Sequence, residues 1–301
     1  METENQIYNP DIAKDIRKAK YYKDTDIEIV EEIFNGKNIQ KVIFDHDGTI
    51  STLREGWEKV MLPVMIDSIC GTSKSKLSTE EFNELSEKCI RFIDETTGIQ
   101  TIVQMQGLVD MVEKEGYIPK NEIKSAAEYK AIYLDKLMVS VNDRIKRFEK
   151  GERGISEYTM LGAVKLLKIY KDKGFTLFLA SGTDEENVIE EATVLGYAEM
   201  FNGGIYGSKG NEIGDAKKIV IERIIKESGN TGDNLMVIGD GPVELREGRK
   251  VGAICIGVAS DEIRRYGMNE SKRERLIKAG AHIVIPDFSQ LTELNKIIFD
   301  N

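Results

Sequence analysis

Asp45 and Asp47 stand two residues apart, behind the apolar run Lys41-Val42-Ile43-Phe44 and ahead of Gly48-Thr49. Ser181-Gly182-Thr183 follows a second apolar run, Thr176 to Ala180, and Asp240-Gly241 follows a third, Leu235 to Ile238. Lys217 begins a helix-like segment between the second and third runs. Carboxylates, hydroxyls and an ammonium group suit acid–base or nucleophilic chemistry around a hard cation. Other chemistries are poorly supplied. The chain has two histidines, His46 and His282, and three cysteines, Cys70, Cys89 and Cys255. A zinc site of four cysteines or three histidines is excluded, and no disulfide scaffold is expected, which points to a reducing compartment.

Short apolar runs bounded by turn residues suit strands of a buried parallel sheet. Besides the three above, Ala253 to Val258 and His282 to Ile285 read the same way. Helix-like segments near 184–196, 215–228, 242–251 and 261–279 alternate with them, and 289–300 would close the chain. Such alternation predicts an α/β fold with a doubly wound, Rossmann-like parallel sheet and right-handed crossovers. Ligands of such sheets bind beyond the carboxyl ends of the strands, where the acids and hydroxyls collect. An aspartate after a strand is commonly just a turn residue or a helix cap. Four independent positions converging on one edge argue for a site instead.

Residues 52–155 break the alternation. They hold amphipathic helices near 55–70, 79–96, 100–115 and 121–149, and Gly151-Glu152-Arg153-Gly154 reads as a hinge on the way back. The expected organisation is a helical N-terminal extension over 1–40, an α/β core from 41–51 and 156–301, and an all-helical insert over 52–155. In the extension, Asn9-Pro10-Asp11 would start one helix, and a second would run from Asp26 to a stop at Asn35-Gly36.

The chain has 301 residues, 41% hydrophobic and 31% charged, with a formal net charge of −10. This acidity disfavours sequence-independent nucleic-acid binding. No stretch is long and apolar enough for a membrane helix, and the start lacks the pattern of a signal peptide, so a cytoplasmic protein is expected. Composition does not fix the oligomeric state.

Phe44-Asp45-His46-Asp47-Gly48-Thr49, Ala180-Ser181-Gly182-Thr183, Lys217 and Gly239-Asp240-Gly241 together resemble the four motifs of the haloacid dehalogenase superfamily, in order and separation. The resemblance covers 41–50 and about 156–290 and implies that the insert is a cap of the C1 type. It further implies an Mg²⁺-dependent phosphatase. Asp45 would be the nucleophile that forms an aspartyl-phosphate, and Asp47 the general acid and then base. Ser181 and the Gly182 N–H would hold phosphate oxygens, and Lys217 would neutralise charge. Asp45, the Asp47 carbonyl and Asp240 would hold Mg²⁺. Many members carry a second aspartate four residues after the first in the last motif. Here Glu244 stands there, a supporting metal residue one methylene longer.

Several residues have bland readings beside functional ones. Arg54, Glu55 and Trp57 enter the insert directly after the first motif and are candidate substrate contacts, although a helix start with one buried aromatic gives the same pattern. Lys218 should point about 100° away from Lys217 on a helix. His46 should point away from the catalytic carboxylates and be structural. Arg144, Lys146, Arg147, Lys150 and Arg153 read as a solvated helix end. Gly239-Asp240-Gly241 begins a GxGxxG pattern, but Glu244 takes the place of the third glycine. The acid at Asp47 fits phosphatases and phosphomutases among the superfamily's chemistries. The expected activity is hydrolysis of a small organic phosphate monoester, such as a sugar phosphate. The alternatives are a phosphomutase of the β-phosphoglucomutase kind and a non-turnover phospho-acceptor module of signalling type.

Overall fold

The computed structural model describes residues 12–13, 15–33, 36–210, 216–227 and 232–300. Eight strands form one sheet: β1 (Lys20–Tyr21), β2 (Glu28–Ile29), β3 (Lys41–Phe44), β4 (Thr176–Asp184), β5 (Gly204–Ser208), β6 (Leu235–Gly239), β7 (Ile254–Val258) and β8 (Ile283–Ile285). Their order is β1-β2-β8-β7-β6-β3-β4-β5. From β8 to β5 all pairs are parallel, and β1 and β2 add an antiparallel edge. Strand β3 lies between β4 and β6, with Phe44 level with Leu179 and Ile238. That register sets the ends of β3 and β6 side by side, next to Leu179, and β4 runs on past them to Asp184.

Side chains alternate across the sheet. Val42, Phe44, Leu177, Leu179, Met236 and Ile238 enter one core layer, and Ile43, Phe178, Ala180, Leu235 and Val237 enter the other. Both faces are buried, so these strands read as continuous apolar runs. The helices that cover them are α5 (Ala163–Asp172), α6 (Glu185–Val194), α7 (Ala216–Glu227), α8 (Pro242–Lys250), α9 (Glu270–Lys278) and α10 (Leu291–Phe299). The fold is therefore α/β with a mostly parallel, Rossmann-like sheet.

Four further helices lie between β3 and α5: α1 (Trp57–Cys70), α2 (Thr79–Glu95), α3 (Thr101–Glu115) and α4 (Ala126–Glu149). They share a core of their own, with Met61, Met65, Ile69, Cys89, Met105, Leu108 and Leu137 in it. Two of them begin with capping boxes, Ser78 with Glu81 and Ser125 with Glu128. In each the serine oxygen takes a first-turn N–H and the glutamate returns a bond to the cap. Among the described residues, no helix is long and apolar enough to cross a membrane.

The N-terminal region departs from expectation. The segment from Asp26 is a strand, with Glu28 and Ile29 paired to Val284 and Ile283. Its Thr-Asp-Ile-Glu-Ile alternation suits a pleated edge, and pairing there covers the open side of β8. A turn with Asp24 at φ 60° links it back to β1. The expected start at Asn9-Pro10-Asp11 and the stop at Asn35 lie outside the described residues, and Gly36 opens a single 3₁₀ turn. Helix α9 starts nine residues later than expected, behind an Asn269 cap whose side chain accepts from the Lys272 N–H at 3.1 Å. Residues 261–268 form a loop, closed by a bridge between Ser260 and Met268. Helix α5 and strand β5 were not anticipated. In β5, two glycines in Gly-Ile-Tyr-Gly-Ser and half-exposed side chains leave no apolar run to find.

Candidate active site

Past Phe44 the Asp45 N–H still donates to the Ile238 carbonyl at 2.9 Å. The ladder thus carries Asp45 one step beyond the strand, beside Gly239 and Asp240. The chain then turns sharply, with Ile50 N–H bonded to the His46 carbonyl at 2.9 Å and Gly48 at φ 73°. A Cβ on Gly48 would lie 2.2 Å from Asp240 Oδ2. Only glycine meets both the positive φ and that contact.

Asp45, Asp47, Ser181, Gly182, Lys217 and Asp240 all line one cleft. Lys217, in the first turn of α7, reaches Asp45 Oδ1 at 3.0 Å and Glu244 Oε2 at 2.9 Å. Its full burial alone would lower its pKa, but the Asp45 and Glu244 carboxylates raise it above the usual lysine range. Burial pushes Asp45 up, against the pull of Lys217. Burial also works on Asp47, yet His46, Arg54 and Thr183 hold it down to about 2. The Thr183 hydroxyl donates to Asp47 Oδ2 at 2.9 Å, and the Arg54 guanidinium stands 3.9 Å from Oδ1. Ser181 is buried, and its Oγ accepts from the Thr183 N–H at 3.1 Å. Lys218 turns outward and pairs with Glu222, as helical geometry required.

Glu244 sits with Asp45 and Asp240 in a buried group whose ligand oxygens lie within 4.8 Å of one another. Both of its oxygens already serve the chain. Oε1 accepts from the Gly241 N–H at 2.7 Å and Oε2 accepts from Lys217. It caps α8 and aims the lysine. An all-oxygen donor set fits a hard cation such as Mg²⁺. The charge balance fits too. Among the described residues, Asp45, Asp47, Asp240 and Glu262 face the cleft with Arg54 and Lys217, and Lys272 reaches Asp240 and Glu262 from behind. An anionic substrate would need further positive charge there.

The helical insert forms the other wall. Trp57, Ile99, Thr101, Gln104, Tyr133 and Leu137 line the cleft. The α2–α3 loop enters deepest: Gly98 approaches Gly241, and a Cβ on Gly182 would meet the Ile99 carbonyl oxygen at 2.8 Å. Lys130 of α4 binds Asp184 Oδ1 and the Gly210 carbonyl, each at 2.6 Å, and Gln100 donates to Ser208 at 3.0 Å. These bonds hold the insert against the strand ends.

The three candidates after the first motif separate. Trp57 and Arg54 line the cleft. Arg54 is buried and donates to Glu191 Oε1 at 2.7 Å. Glu55 does not face the cleft. It accepts from Arg144 at 2.8 Å, beside a different pocket shared with Arg147, Arg153 and Arg265. Arg144 accordingly is half-buried rather than at a fully solvated helix end. It also donates to the Leu53 and Glu55 carbonyls and straps the returning helix to the entering linker. His46 does not point away: its Nδ1 lies 3.5 Å from Asp47 Oδ1 and its Nε2 is 2.8 Å from the Tyr197 hydroxyl. The ring packs on Tyr197, in the core layer that Phe44 enters. Lys272, Glu262 and Glu191 escaped sequence reasoning, because each sits in a charged stretch that reads as a solvated helix or loop.

A family model described as haloacid dehalogenase-like hydrolase matches residues 39–252. No curated protein matches the chain in sequence. Among solved structures, a β-phosphoglucomutase from Clostridium difficile is similar at TM-score 0.56 and 16% identity, covering 87% of this chain and 98% of that one. A predicted phosphoglycolate phosphatase from Haemophilus somnus is similar at TM-score 0.53 and 15% identity, covering 86% and 98%. A predicted phosphatase from Clostridium acetobutylicum follows at TM-score 0.52 and 19% identity, covering 87% and 99%. At such identities the likeness is one of fold, whereas the family match spans most of the chain and carries the strand-end residues with it. The chain belongs to the haloacid dehalogenase-like hydrolases.

Proposed function

We propose that this hydrolase is an Mg²⁺-dependent phosphatase that cleaves a small organic phosphate monoester through an aspartyl-phosphate on Asp45. The observation that carries the reading is the pairing of two carboxylates in one cleft with opposite surroundings. Asp45 lies against Lys217, while Asp47 is held by Thr183 and Arg54 on the side facing the insert. A carboxylate oxygen of Asp45 would form a bond to phosphorus as the ester P–O bond breaks. Asp47 would hand a proton to the departing alkoxide. The negative charge of a bound phosphate monoanion would raise the proton affinity of Asp47, which would take up that monoanion's proton before handing it on. Water would then attack the phosphorus of the acyl-phosphate. Asp47 would take its proton, and the bond to Asp45 would break to release phosphate.

Ser181 and the Gly182 N–H would hold the phosphoryl oxygens, with Lys217 keeping charge balanced at Asp45. Asp45, the Asp47 carbonyl and Asp240 would hold Mg²⁺, with Glu244 in support through Lys217. The ion would supply the positive charge that lets an anionic nucleophile meet an anionic ester.

The four helices of the insert would act as a cap. The core residues meet only the phosphoryl group, so Trp57, Arg54, Tyr133 and the α2–α3 loop would choose the alcohol. A cleft walled on one side by the insert suits a small metabolite better than a phosphoprotein or a nucleic acid. The three cysteines are buried and free, in keeping with a cytoplasmic enzyme.

A phosphomutase would use the same groups, and a β-phosphoglucomutase is among the similar folds. Phosphate-release screening of sugar and other small monoesters with Mg²⁺ tests the reading. Released phosphate supports hydrolysis. An isomerised sugar phosphate supports the mutase. A phosphorylated protein that persists for minutes without turnover supports the signalling module.

A further inference from the structure

Lys272 lies beyond residue 252, where the family match ends, and no motif includes it. It occupies the first turn of α9, and its side chain runs inward, leaving the residue 7% exposed. A buried ammonium is costly unless its donors are satisfied. Here three acceptors meet it: Asp240 Oδ2 at 2.6 Å, Glu262 Oε1 at 2.6 Å and Ser260 Oγ at 3.3 Å. Three donors are all that an ammonium has. The Ser260 hydroxyl in turn donates to the Gly48 carbonyl at 2.6 Å. Lys272 therefore ties the turn after β3, the end of β6 and the 260–262 loop to one point.

That point fixes Asp240. Lys272 holds Oδ2 on one side, and on another the Gly48 backbone passes so close that a Cβ there would lie 2.2 Å from that oxygen. Thr49 Oγ1 approaches Oδ1 at 3.4 Å. We propose that Lys272 is a positioning residue: it occupies Asp240 Oδ2 so that Asp240 offers a single oxygen to the divalent cation. This rests on the metal reading above. Mg²⁺ demands near-octahedral geometry, whereas Ca²⁺ accepts bidentate carboxylates and longer distances. An Asp240 free to rotate would serve Ca²⁺ better than Mg²⁺.

A lysine that acted by charge alone would predict the opposite sign. Its ammonium would repel the cation, and its removal would tighten binding. A positioning lysine predicts looser binding on removal.

The test is calorimetric titration of the full chain with MgCl₂ and with CaCl₂, for the wild type, Lys272→Met and Lys272→Arg, with folding checked by circular dichroism. Loss of a partner behind a metal ligand weakens binding about tenfold or more, so Lys272→Met should lose that much Mg²⁺ affinity and less Ca²⁺ affinity. Lys272→Arg should also weaken Mg²⁺ binding, because a planar guanidinium keeps the charge but not the point of contact. Unchanged or tighter Mg²⁺ binding in folded Lys272→Met overturns the proposal. Should Lys272→Met fail to fold, Lys272→Arg decides it: wild-type Mg²⁺ affinity there shows that charge suffices. A wild type that binds no Mg²⁺ overturns the metal reading itself, a result distinct from variants that bind as it does.

Discussion

At the scale of single residues, the site works by giving similar side chains different neighbours. Asp45 and Asp47 are two residues apart, yet burial raises one while His46, Arg54 and Thr183 lower the other. Thr183 is the cleanest handle on this difference, since its hydroxyl donates directly to Asp47 Oδ2. Thr183→Val keeps the shape and removes the donor. The expected result is a fall in kcat of about tenfold or more, with KM and Mg²⁺ affinity little changed, because only proton transfer is disturbed. A fall in KM-dependent terms alone would assign Thr183 to substrate binding instead. Asp45, Asp47, Ser181 and Asp240 were legible because each follows an apolar run, where a polar residue stands out. Lys272 and Glu191 were not. Ser-Lys-Arg-Glu-Arg-Leu-Ile-Lys and Glu-Glu-Asn-Val-Ile-Glu-Glu give no sign of which charge turns inward.

At the scale of elements, the contact that matters most is between the α2–α3 loop and the end of β4. Gly182 lets the Ile99 carbonyl approach to a distance that a Cβ would not allow. Gly182→Ala should push the loop outward while leaving strand pairing intact. Displacements of about 1 Å in such sites cost on the order of a hundredfold in rate. The predicted outcome is that kcat/KM falls by about that much for cap-contacting monoesters and less for p-nitrophenyl phosphate. An equal loss on all substrates would place the damage in phosphate binding rather than in closure. The positions of α1 to α4 could be read from apolar periodicity, although α4 begins at Ala126 rather than near 121. Which loop enters the cleft could not, since Thr96-Thr97-Gly98-Ile99 looks like any helix connection and its reach is set by packing between distant elements. The N-terminal strands were hidden for a related reason. Two residues paired to β8 carry too little pattern of their own, and the open edge of β8 decides their conformation.

At the scale of the molecule, one sheet, of eight strands among the described residues, carries both the candidate site and the N-terminal strands β1 and β2. The far edge has a titratable group that the site does not use. His282 precedes β8, and its Nδ1 accepts from the Cys255 N–H at 3.0 Å. Burial, with the Arg249 guanidinium beside it, lowers its pKa from 6.5 to about 4. The unfolded chain therefore binds a proton below its own pKa while the folded one resists it. This contribution is fully present above the unfolded pKa of 6.5 and is lost as pH falls toward the folded value of about 4. Urea unfolding should show the wild type losing more stability between about pH 7 and about pH 4.5 than His282→Asn, whose amide oxygen keeps an acceptor for Cys255. Equal losses would mean that the histidine is not linked to folding.

The central claim is that Asp45 carries the phosphoryl group. Its most direct test is acid quenching during turnover with a good monoester and Mg²⁺, followed by peptide mass spectrometry. The account predicts a phosphoryl group on the peptide containing Asp45, lost on dilution into water or on adding hydroxylamine, and absent in Asp45→Asn, which should also lose several powers of ten in rate. Rapid phosphate release by the wild type with no covalent phosphate on Asp45, or with the label on another residue, would contradict it.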